Sequence, residues 1–76
     1  MPPRFRELKA YLDRHGWVCS RKNDHFRYEK TLLDGRVLRT KVSFALQDEI
    51  PRPVWVQILR KQLLITEKDF RQDRGL

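Results

Sequence analysis

His25-Phe26-Arg27-Tyr28-Glu29-Lys30-Thr31-Leu32, then Leu33-Asp34-Gly35, then Arg36-Val37-Leu38-Arg39-Thr40-Lys41-Val42-Ser43 is the stretch that decides the fold. Apolar and β-branched residues alternate with charged ones on both sides of Asp34-Gly35, a strong hairpin signal. Side-chain parity fixes the loop length. A two-residue loop pairs Leu32 with Val37 and sets Leu38 and Val42 on the face opposite Phe26 and Tyr28. A three-residue loop, Leu33-Asp34-Gly35 with Gly35 as a bulge, pairs Leu32 with Arg36 instead. Phe26, Tyr28, Leu38, Thr40 and Val42 then share one face. The second register buries far more apolar surface and is the one expected. It sends His25, Arg27, Glu29, Arg39 and Lys41 to the opposite, solvent face.

Working outward, Trp17 to Lys22 reads as a preceding strand with Trp17 and Cys19 on the buried side. Asn23-Asp24 supplies the turn into His25, because both side chains tolerate positive φ and bond their own backbone. Before that strand, the spacing predicts a helix over Arg4 to His15, with Pro2-Pro3 suited to its first turn. Phe5, Leu8, Tyr11 and Leu12 form its apolar stripe, and Gly16 stops it. His15 sits in the last turn, where a capping role against the helix dipole is preferred to catalysis. After the hairpin, Phe44 to Arg52 reads as a loop closed by Pro51 and Pro53. A second helix then faces the sheet with Trp55, Ile58, Leu59 and Leu63. Thr66, with Asp69 three residues on, caps a short helical turn that returns Phe70 to the core.

The expected fold is α+β, helix–three-stranded antiparallel sheet–helix, with a short C-terminal helical turn. Both helices cover one face of the sheet, because only one face is apolar. This is the layout of a double-stranded-RNA-binding-domain-like unit. A single domain spans residues 1–76, with its core over about 4–70 and residues 71–76 as a frayed tail.

Seventeen basic against ten acidic residues give a net charge of +7, which favours a polyanionic partner such as nucleic acid over a membrane surface. One cysteine excludes an internal disulfide and fits a reducing compartment, so a cytoplasmic protein is expected. The two histidines and Cys19 have no zinc spacing, Asp48-Glu49 is a weak metal pair, and neither metal nor cofactor is expected. His25 stands just past a turn among basic residues: Arg21 and Lys22 before it, Arg27, Arg39 and Lys41 on the expected solvent face. Such a histidine can exchange protons during RNA cleavage, and the cations can hold phosphates. Asp24 beside it is expected to modulate the imidazole, since a neighbouring carboxylate favours its protonated form. The plainer alternatives are an exposed strand histidine with no role and a merely solvated basic face. Trp17 and Trp55 lie on apolar stripes and belong to the core.

Several short anchors run in order along nearly the whole chain, from about Arg6 to Phe70. They are Gly16-Trp17, Arg21, Asp24-His25, Asp34-Gly35-Arg36, Val42-Ser43, Glu49-Ile50-Pro51, and Gln62-Leu63 followed by Thr66 and Phe70. In this order and spacing they resemble the HicA (YcfA-like) mRNA interferase toxins of type II toxin–antitoxin systems. The resemblance implies the same helix–three strands–helix unit and a metal-independent endoribonuclease that cleaves mRNA in single-stranded regions. It makes His25 the catalytic residue, as counterpart of the histidine in the family's Gly-Ser-His turn. It also implies a HicB-like antitoxin that covers this histidine. The chain departs from the family at three places. Asn23-Asp24 replaces Gly-Ser, and Phe44 stands where many members carry a second histidine. Leu64 occupies a helix-end position usually held by glycine, so a left-handed cap is not expected there. Two other function classes stay open: an RNA-binding module that does not cut, and a protein-interaction subunit that docks an acidic partner.

Overall fold

A computed structural model of the protein describes residues 2–21 and 24–72, apart from the side chain of Arg21. Helix α1 (Phe5–Arg14) is followed by strands β1 (Val18–Arg21), β2 (His25–Thr31) and β3 (Val37–Ser43). Helix α2 (Arg52–Gln57) then runs into a π-helical stretch, Ile58–Leu63, and helix α3 (Glu67–Gln72) follows. The open antiparallel sheet, in the order β1-β2-β3, lies between helices that precede and follow it in the chain.

The hairpin takes the register that parity predicts. Phe26 pairs with Val42, Tyr28 with Thr40 and Lys30 with Leu38, while Arg27 pairs with Lys41 and Glu29 with Arg39. The Leu32 amide donates to the Arg36 carbonyl at 2.8 Å, and Gly35 closes the three-residue loop at φ 91°. A left-handed bulge of this kind suits glycine, which carries no Cβ. Asp34 fixes the turn. Its carboxylate accepts the Arg36 amide and guanidinium, which hold the carboxyl below the usual carboxylate range.

Tyr28, Val42 and Thr40 are buried on one face of the sheet, and helices from both ends of the chain reach that face. The Tyr28 hydroxyl donates to Asp13 of α1 at 2.8 Å, and Lys9 pairs with the same carboxylate at 3.0 Å. Thr40 donates to Gln62 of the π stretch at 2.6 Å. Burial first, and then the Asp13 carboxylate, push the Tyr28 phenol well above its ordinary value. Leu8, Leu12, Trp55, Ile58, Leu63 and Phe70 complete the centre of the core. The buried indole N–H of Trp55 finds no partner in hydrogen-bond geometry among the described residues, although it helps to hold Glu67 below the usual carboxylate range. The larger cause of that depression is Arg71, at 2.7 Å from Glu67.

Several expectations need correction. Pro2-Pro3 precede α1 instead of forming its first turn. Pro3 is buried, and its carbonyl accepts the Ile50 amide at 2.9 Å. The first amides of α1 are satisfied by the long connection, Phe5 donating to Asp48 and Arg6 to Leu46, both at 3.0 Å. Cys19 is exposed despite pairing with the buried Tyr28, because β1 is an edge strand and no helix covers that position. Helix α3 takes in Arg71 and Gln72, and residues 73–76 lie outside the described residues. Leu64 adopts the left-handed conformation, φ 58° and ψ 43°, where no such cap was expected. The amides of Leu64 and Ile65 both turn back to the Leu59 carbonyl, and Ile65 thereby packs on the core. Satisfying two end amides and burying Ile65 outweighs the steric cost of a leucine there.

Candidate nucleic-acid interface

The face of the sheet away from the helices is built by simple alternation. Along β2, His25, Arg27 and Glu29 take the positions between Phe26, Tyr28 and Lys30; along β3, Arg39 and Lys41 flank Thr40. On β1 the corresponding residue is Ser20, which stands opposite Arg27. With Asp24 at the end of the turn, these seven side chains line one open concavity of about 680 Å³. The residues singled out from the sequence, His25, Asp24, Arg27, Arg39 and Lys41, are therefore neighbours in space.

His25 is half-buried at the start of β2, opposite Ser43, so the ladder fixes its backbone while the ring remains accessible. Among the described residues it makes no hydrogen bond or ion pair, and none links it to Asp24. Arg27 and Lys41 face each other across the strand pair, and neither has an ion-pair partner among the described residues. Arg39 is engaged, with its Nε on the Glu29 carboxylate at 3.0 Å. The face thus presents two uncompensated cations and a third held by an exposed pair, which solvent screens to little net energy.

Two expected contributors lie outside what the structure describes. The backbone of Arg21 pairs with Phe26, and its side chain is outside the described set. Lys22 and Asn23, and with them most of the turn, also lie outside the described residues. Ser20 and Glu29 line the concavity although the sequence reading assigned neither a role. Glu29 was recognisable from its parity. Alternation with Cys19 also put Ser20 on this side, but an uncharged serine carries no signal of a role.

Among the described residues, no group of three or more His, Cys, Asp and Glu is placed to hold a metal ion. No helix among them is long and apolar enough to cross a membrane. Compared with protein families, curated proteins and solved structures, the chain matches none.

Proposed function

We propose that this chain is a toxin-type endoribonuclease of the HicA kind, cutting single-stranded regions of mRNA without a metal and silenced by a HicB-like antitoxin. The observation that carries this reading is that His25, whose ring has no hydrogen-bond or ion-pair partner among the described residues, opens into the same concavity as Arg27, Arg39 and Lys41. A neutral imidazole there takes the proton of a ribose 2′-hydroxyl as its oxygen attacks phosphorus. The resulting imidazolium can protonate the departing 5′-oxygen, leaving a 2′,3′-cyclic phosphate and a free 5′-hydroxyl. The cations offset charge that develops on the phosphorane. A single imidazole must serve both proton transfers in turn, so turnover is slow. The order helix–three strands–helix, read as a double-stranded-RNA-binding-domain-like unit, and the anchors from Gly16-Trp17 to Phe70 support the same assignment.

The test is cleavage of a labelled single-stranded RNA by wild type and His25→Ala in excess EDTA. The variant should cut about a hundredfold more slowly or worse, with unchanged folding and RNA affinity. Induction of the wild type should arrest growth, and co-expression of its antitoxin should relieve the arrest. Equal cleavage by both proteins would remove His25 from the mechanism.

A second reading, an RNA-binding module that does not cut, is favoured by Phe44. Where members of the resembling family carry a second histidine, this chain has a ring packed edge-on against Phe26 at 4.7 Å. RNA binding without cleavage by either protein would select that reading.

A further inference from the structure

We infer that the open face grips single-stranded RNA through its phosphates and does not read base identity, so its substrate class is single-stranded RNA of any sequence. This inference rests on the RNA-binding reading of the same face. Proteins that read or grip unpaired bases stack them on exposed aromatic rings. The chain has two Trp, two Tyr and four Phe, and none of these eight rings lines the concavity. Tyr11, Trp17, Tyr28, Trp55 and Phe70 are buried in the core. Phe5 and Phe26 pack against that core from its rim, and Phe44, although exposed, lies edge-on to Phe26 beyond the lining of the concavity.

The open face offers charges spaced for phosphate oxygens instead. Arg27 and Lys41 are direct cross-strand partners, which puts their Cβ atoms about 4.5–5.5 Å apart. Like charges so placed repel each other, and a phosphate lodged between them removes that repulsion. One oxygen of Glu29, an acceptor suited to base amino groups, is already engaged by Arg39. Ser20 adds a hydroxyl, which pairs with phosphates and with any base edge alike. RNA is then told from DNA by cleavage, which needs the 2′-hydroxyl as nucleophile, and not by binding.

The experiment uses His25→Ala, so that the probe survives, and measures anisotropy of labelled uridine, cytidine and adenosine homopolymers of equal length, with thymidine DNA beside them. Dissociation constants within about threefold of one another are expected, with parallel salt dependences. Their log–log slope should lie near −1.4, as for about two single-strand phosphates. Lys41→Ala should flatten every slope equally. A tenfold preference for one base, or affinity that ignores salt, overturns the inference. If that preference accompanies His25-dependent cleavage, the nuclease assignment still stands. Absence of binding to all four oligomers overturns the inference and the RNA-binding reading together.

Discussion

At the centre of the open face, Arg27 and Lys41 stand opposite each other with no carboxylate between them, whereas one pair further along, Arg39 has Glu29. Selection for stability alone would place an acid at one of these positions, as it does in the neighbouring pair. Lys41→Glu replaces a repulsive cross-strand pair by an attractive one. It should stabilise the fold by about 0.2–1 kcal/mol. The same change puts a negative charge where phosphate is proposed to sit and should abolish most RNA binding. Urea unfolding with an unchanged slope and a higher midpoint, read beside RNA affinity, checks both effects. A lower midpoint would mean that Lys41 supports the fold and is not held there against it. His25 shows the same separation of roles, since its ring makes no hydrogen bond among the described residues and opens into the concavity.

Among the elements, the end of the π-helical stretch carries the clearest conformational cost. Leu64 is half-exposed yet left-handed, a conformation in which Cβ crowds the following carbonyl. Comparing Leu64→Gly with Leu64→Ala separates backbone from packing, since both remove the same side-chain contacts. In an ordinary helix interior the glycine variant is the weaker by about 1 kcal/mol. Here the order should reverse, with glycine the more stable by about 1 kcal/mol in chemical denaturation. An alanine variant equal to or better than glycine would contradict the left-handed geometry. This position also marks where sequence reading failed. The hairpin was legible because Gly35 and the alternation of five core-facing residues demanded the same register, and the end of α1 because Gly16 stands at its left-handed position, φ 78°. Thr66 and Asp69 were equally legible, and their reciprocal bonds form as expected. The π widening and the Leu64 cap leave no local residue signal; they follow from where Leu59, Leu63 and Ile65 must sit on the sheet. The site divides in the same way. His25, Arg27, Arg39 and Lys41 came from hairpin parity, while Ser20, on the face opposite Cys19, carries no charge or ring that would mark it for a role.

For the molecule as a whole, Tyr28 joins sequence, packing and pH in one residue. It is fully buried at the middle of the sheet, and its hydroxyl ties β2 to Asp13 of α1. Its folded value is raised above the unfolded one of about 10, so the folded chain keeps this proton where the unfolded chain releases it. The contribution to stability is therefore full below pH of about 10 and falls as pH rises past that value. Lysines lose charge over the same range, which lowers the self-repulsion of a chain with net charge +7 and acts in the opposite direction. Tyr28→Phe isolates the first effect. The variant keeps the ring and leaves Asp13 paired with Lys9, at a neutral-pH cost of about 1–3 kcal/mol for a lost hydrogen bond to a charged group. Above pH of about 10 the wild type should lose stability more steeply than the variant, so that the two curves converge. In the wild type, tyrosinate absorbance from Tyr28 should appear only together with loss of the folded circular dichroism signal. An equally steep alkaline decline in Tyr28→Phe would assign the effect to other groups and leave the buried phenol without a part in it.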